Sequence, residues 1–218
     1  MIKAEGIHKT FEDFTALDNI TCNISDGCIY GMVGSNGAGK STFLRVLSGI
    51  YKPDKGCAYI DDEPIYENPK VKENIVFVSD ELFFLPGATM SKMADFYSSI
   101  YDRFNYDRFL KLAELFELNI KKPIANFSKG MKRQASIILA LSTRAKYMFF
   151  DETFDGLDPV MRNLVKKLIC NDVAEYDTTV IVTSHSLREL EDICDHLALL
   201  HKGGLVLDSD VLELKTTQ

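Results

Sequence analysis

The stretch GMVGSNGAGKSTFLRVL, Gly31–Leu47, limits the fold of this chain more than any other. Gly34, Gly37 and Gly39 strip the side chains from one turn and admit backbone angles that other residues resist. Before the turn, Cys28–Val33 (CIYGMV) is a short apolar run suited to a buried strand, and after it Ser41–Leu47 (STFLRVL) is suited to a helix. A glycine loop between strand and helix, with the spacing G-x-x-x-x-G-K-[ST] from Gly34 to Ser41, is the phosphate-binding P-loop. Backbone N–H groups of the loop and of the helix N-terminus point at phosphate oxygens, where the helix dipole also favours negative charge. The implied guest is a nucleoside triphosphate. Lys40 reaches its β and γ phosphates as a point charge, and the Ser41 hydroxyl is placed to ligate Mg²⁺.

A P-loop enzyme also needs an acidic residue at the end of a second buried strand, and Lys146–Glu152 (KYMFFDE) has that shape. Asp151 is the expected metal anchor, and Glu152 the group that orients or deprotonates an attacking water. A third strand, Thr179–Thr183 (TVIVT), runs into Ser184 and His185, which puts an imidazole at the mouth of the same sheet. His185 could donate a hydrogen bond to the γ phosphate; taken alone, a histidine that ends a strand is more often structural.

Composition narrows the setting. The 218 residues suffice for one large domain with a subdomain, and 46% hydrophobic with 26% charged residues is ordinary for a soluble globular protein. A formal net charge of -7 argues against a nucleic-acid partner. No apolar run approaches the ~20 residues needed to cross a bilayer. The opening MIKAEGIHKTF carries charges where a signal peptide needs an apolar core, so a cytoplasmic location is expected. The five cysteines form no C-x-x-C pair and read as reduced thiols, and His8, His196 and His201 read as surface or strand-end residues.

Between the phosphate motifs, Phe84–Thr143 reads as mostly helical, with Phe109, Leu112, Ala113 and Phe116 at helical spacing. Its aromatics read as core. Asn126–Gln134 (NFSKGMKRQ) follows, where Ser128 can cap a helix and Gly130 permits close approach, so a second anion site at a helix N-terminus is expected. Strands around Ile2–His8 and Thr21–Ser25 suggest a β-rich side lobe. Met161, Leu164, Val165 and Leu168 form a helical core stripe, and His201–Gly204 (HKGG) reads as a hairpin turn.

At this point nearly the whole chain resembles the ATP-binding subunit of ABC transporters, with the family's motifs in order. GSNGAGKS matches the P-loop, FSKGM lies where the signature LSGGQ belongs, and MFFDE matches the second nucleotide motif with its catalytic glutamate. GLDP at Gly156–Pro159 looks like the loop after it, and SH at Ser184–His185 matches the switch histidine. The resemblance implies an α/β P-loop core of ABC ATPase type, residues 1–83 plus 144–218, with an antiparallel β side lobe and an inserted helical subdomain at 84–143. It implies that Gly34, Ser35, Asn36, Gly37, Ala38, Gly39, Lys40, Ser41 and Thr42 hold the nucleotide. Phe11 occupies the position where the family stacks an aromatic on adenine.

It further implies a head-to-tail dimer, with the same or another ABC ATPase subunit, in which Ser128 and Gly130 serve the partner's nucleotide. Dimer closure and ATP hydrolysis would drive a separate membrane permease, gripped by the helical segment, from the inner face of the cell membrane. The chain departs from the family at FVSD, Phe77–Asp80, where Asp80 stands for a glutamine that touches Mg²⁺ and water. Asp80 then either reaches the metal or caps the following segment. In the signature, Lys129 replaces a glycine and Met131 a glutamine. The wording SDE and SKGMK is similar to the bacterial branch that exports drugs, peptides or lantibiotics. A soluble ABC ATPase acting on ribosomes or DNA, and an ATP-gated module without hydrolysis, are the competing readings.

Overall fold

The structure, a computed structural model, describes residues 1–216; the last two residues of the expected core, 217–218, lie outside the described residues. Strands β1 (Ile2–Phe11) and β2 (Phe14–Ile24) form a hairpin, and β3 (Ile29–Val33) runs through the glycine loop into α1 (Lys40–Leu47). β4 (Lys55–Ile60) and β5 (Glu63–Pro64) return to the hairpin, completing an antiparallel sheet in the order β2-β1-β4-β5. Next come α2 (Pro69–Lys72), β6 (Ile75–Val78) and three helices, α3 (Met90–Ser98), α4 (Tyr106–Leu115) and α5 (Lys129–Ser142). The chain then alternates β7 (Tyr147–Phe150), α6 (Pro159–Tyr176), β8 (Thr179–Ser184) and α7 (Leu187–Leu190). It closes with the hairpin β9 (His196–His201) and β10 (Gly204–Asp210), followed by α8 (Val211–Thr216). The second sheet has the order β10-β9-β3-β8-β7-β6, all parallel except β10.

The central strands β3, β7 and β8 are buried at every position because both faces of this sheet are covered, so alternation divides each strand between two cores. Ile29, Val33, Met148, Phe150, Val180 and Val182 face the core shared with α4, α5 and α6. Tyr30, Met32, Tyr147, Phe149 and Ile181 face the other, shared with α1 and the antiparallel sheet. Gly31 sits where a Cβ would stand 2.6 Å from Cys194 Sγ and 2.8 Å from Leu197 Cδ2, so a side chain there would displace those of β9 and of the segment before it. Leu139, Ile137 and Ile138 of α5 are fully buried and belong to the same core as β7 and β8, so this helix is tied directly to the sheet.

The long helices begin on side-chain caps. Thr89, Asn105, Ser128 and Asp158 each accept from backbone N–H groups of α3, α4, α5 and α6 respectively, a contribution of about 1 kcal/mol each. The α1 helix has no side-chain cap. The expected side lobe is present with longer strands than the sequence suggests, because register shifts after Ala4, Ile7 and Lys9 break the alternation that marks a strand. The turn at His201–Gly204 is a hairpin as expected, and all five cysteines are free. Burial pushes the thiols of Cys28 and Cys22 up, to about 11 and about 12. Among the described residues no helix is long and apolar enough to cross a membrane.

Candidate nucleotide site

In a parallel sheet the loops at the carboxyl ends of the strands gather into one crevice. Here β3, β7 and β8 deliver the glycine loop, Asp151–Glu152 and His185 to that edge. A cleft of about 490 Å³ opens there, lined by Asn36 to Thr42 of the loop, by Asp80, Lys129 and Arg133, and by Glu152, Asp155 and His185. Phe14 and Ala16 of the side lobe close one wall.

The glycines of the loop serve two different needs. A Cβ on Gly34 would lie 2.6 Å from Leu200 O, and one on Gly39, at φ 108°, 2.6 Å from Ala16 O. At both positions it is the protein's own backbone that approaches. Gly37, at φ 79°, has nothing within 4 Å and gives its side-chain space to the cleft. The uncapped α1 therefore begins at an open, anion-seeking helix end.

Lys40 is buried, and its Nζ donates to Gly34 O at 2.6 Å and to Ser35 O at 3.3 Å. The same ammonium is ion-paired with Glu152 Oε1 at 3.0 Å. Glu152 sits at φ 47°, in the left-handed region, and its other oxygen is 3.2 Å from His185 Nδ1 and accepts the His185 N–H at 3.3 Å. Asp155 Oδ2 lies 3.9 Å from the same imidazole nitrogen.

Asp151 is wholly buried at the root of the cleft. Its Oδ1 accepts from Thr183 Oγ1 at 2.7 Å, while Oδ2 has no hydrogen-bond partner among the described residues. Burial pushes this carboxyl above the usual carboxylate range, and the hydroxyls of Thr183 and Ser41 pull the other way. The Thr183 hydroxyl also accepts the Glu152 N–H at 3.0 Å, so one side chain fixes both acids. An orphaned carboxylate oxygen beside a serine hydroxyl is a donor set that suits a hard divalent cation.

Asp80 lines the cleft and turns Oδ1 toward the Glu81 N–H at 2.9 Å, the Ser79 hydroxyl at 3.1 Å and Arg45 Nη2 at 3.6 Å. Phe11 lies away from the cleft lining and packs edge-on against Tyr51, with ring centroids 5.3 Å apart; Phe14, three residues on, is the aromatic on the wall. Ser128 spends its side chain on the Met131 N–H at 3.2 Å, and a Cβ on Gly130 would stand 3.1 Å from Gly156 O. Neither residue lines this cleft, although Lys129 between them does.

Sequence reasoning passed over Thr183, Arg133, Phe14 and Asp155. Of these only Asp155 carried a signal, its place two residues beyond the DET of the strand end, within reach of His185.

Residues 17–155 match the family model described as "ABC transporter". The chain belongs to the ABC transporter family. It is 32% identical over 215 residues to the ABC transporter ATP-binding protein YtrB of Bacillus subtilis (strain 168), covering 99% of this chain and 74% of that one. It is 30% identical to the bacitracin transport ATP-binding protein BcrA of Bacillus licheniformis, covering 94% and 68%. Its fold superposes on the dimeric ATP-binding cassette MJ0796, bound to ADP and Pi, with a TM-score of 0.87 at 22% identity, over 97% of this chain and 99% of that one. The protein is thus an ATP-binding subunit of the ABC type and an ABC ATPase.

Proposed function

We propose that this ABC ATPase works as one half of a head-to-tail pair, with an identical or a related subunit, and drives a membrane permease in the direction of export. The observation that carries this reading is the split of the motifs. Lys40, Glu152 and His185 share one cleft, whereas Ser128 and Gly130 stand off its lining. A second subunit brought up by its own Ser128 would complete the site. The dimeric state of the MJ0796 cassette supports the pairing, and the bacitracin transport role printed for BcrA supports export.

In this reading the triphosphate enters on Gly34–Thr42 and draws Lys40 away from Glu152. The freed Glu152 carboxylate then orients and deprotonates the attacking water, with His185 holding it in place. Ser41, Asp151 and Asp80 would hold Mg²⁺, which neutralises charge on the β and γ phosphates when bound. Phe14 supplies the base-facing wall, with Phe11 as its cross-strand neighbour. Residues 84–143 act as the unit gripped by the permease. Phe83, 75% exposed, and the exposed Leu85 sit between β6 and α3 where such a grip needs apolar contact. The subunit would then lie on the inner face of the membrane.

Affinity purification from membranes, with identification of the co-purifying chain, tests this. A polytopic membrane protein that stimulates ATP turnover is expected. Co-purification with ribosomes or DNA would replace the transporter reading with a soluble ATPase.

A further inference from the structure

Arg133 stands just past the first turn of α5 and is 5% exposed, yet it is a full charge. Its described hydrogen bonds go to neutral backbone rather than to a carboxylate: Nη1 donates to Ser79 O at 2.8 Å and Nη2 to Asp80 O at 3.1 Å. Taking a guanidinium out of water is costly, and here its planar set of donors spans two successive carbonyls, which ties the Ser79–Asp80 backbone to α5. Burial pulls its pKa down, and the field of Asp80, Asp155, Asp151 and Glu152 opposes that loss, so the cleft's own carboxylates hold the charge in place.

The gripped turn connects two helices. Its Asp80 carboxylate faces Arg45 Nη2, on α1, at 3.6 Å, and is pinned by the Glu81 N–H. A continuous path therefore runs from α5, whose first turn carries Ser128 as cap and Lys129 in the cleft, through the carbonyls of Ser79 and Asp80, to the helix that carries Lys40.

We propose that Arg133 is a positioning residue for ATP hydrolysis, clamping the Ser79–Asp80 turn to α5 so that the placement of α5 sets where the Asp80 carboxylate stands against the P-loop helix. This rests on the proposed role of Asp80 in the site. It adds that the role is exercised through α5, and that Arg133 acts through Asp80 without touching the nucleotide itself.

The test is a double-mutant cycle in the full chain. Arg133→Gln removes the charge but keeps a polar side chain with one donor group, Arg133→Lys keeps the charge, and each is made alone and with Asp80→Ala. Steady-state ATP turnover and affinity for a fluorescent ATP analogue are measured, and amide hydrogen exchange is followed over the segment after β6. Arg133→Gln should lower kcat about tenfold with KM and analogue affinity changed by less than about threefold, and Arg133→Lys should fall between it and wild type. In the Asp80→Ala background the same change should alter kcat by less than about twofold, because the carboxylate being positioned is gone. Exchange at residues 79–81 should quicken in Arg133→Gln. Equal losses in both backgrounds, full turnover in Arg133→Gln, or unchanged exchange would each overturn the proposal. The exchange arm needs no turnover, so an inactive wild-type chain would count against the hydrolysis reading while exchange still judged the clamp.

Discussion

The Lys40 ammonium and the Glu152 carboxylate are paired at 3.0 Å, so the group proposed to bind phosphate and the group proposed to activate water hold each other. Both are shielded from solvent, which strengthens the pair relative to one in water. ATP has to break it. Glu152→Gln removes the competing charge, and should tighten ATP binding by roughly three- to tenfold while reducing turnover by about a hundredfold or more. Titration with a fluorescent ATP analogue, beside a steady-state phosphate assay, checks both. Weaker binding in this variant would show that Glu152 does not compete with the nucleotide.

Asp151 gives a pH-dependent test of the metal reading. Its folded pKa lies above the ~3.9 of an unfolded aspartate, so its favourable contribution is complete below that value and is lost as pH rises through the folded pKa. At neutral pH the ionised group burdens the fold. Asp151→Asn should therefore melt higher than wild type at pH 7 without divalent cation, by roughly 2–4 °C for each kcal/mol relieved, and the gap should narrow toward pH 4. Mg²⁺ with ATP should stabilise wild type and not the variant. Thermal melts across that range decide it.

Thr183 donates to Asp151 and accepts from the Glu152 N–H, so Thr183→Val, nearly the same in shape, should disturb both acids. Turnover should fall about ten- to a hundredfold with affinity for Mg²⁺-free ATP kept, and Thr183→Ser should restore most of the rate. Kinetics on the two variants compare them directly.

Much of this site is legible in the sequence. The apolar run Cys28–Val33 and the glycines after it announce a strand, a turn and a helix, and FFDE and TSH mark strand ends that one sheet brings together. What stayed hidden depends on contacts across the fold. Arg133 lies on a helix that reads as polar on one side, and only the packing of α5 on the turn after β6 buries it. Thr183 is one β-branched residue in a run chosen for packing, and its hydroxyl matters because β7 and β8 are adjacent and parallel. The Lys40–Glu152 pair joins residues far apart in the chain and has no local pattern at all.

The aromatic wall illustrates the same limit. Phe11 and Phe14 flank a two-residue turn, and the turn, not the spacing, decides that Phe14 faces the cleft. Phe14→Ala should raise KM for ATP by about threefold or more, and Phe11→Ala should do so by less. The reverse order would return the base to Phe11.

The pairing of subunits is the centre of this account, since without it Ser128 and Gly130 have no nucleotide to serve. Light scattering on Glu152→Gln, with and without ATP, measures it most directly. The account predicts a particle of twice the 24.6 kDa chain mass with ATP, reverting to the single mass without it and also when Ser128→Glu is added. A Glu152→Gln chain that stays at the single mass in saturating ATP, at high protein concentration, would contradict it.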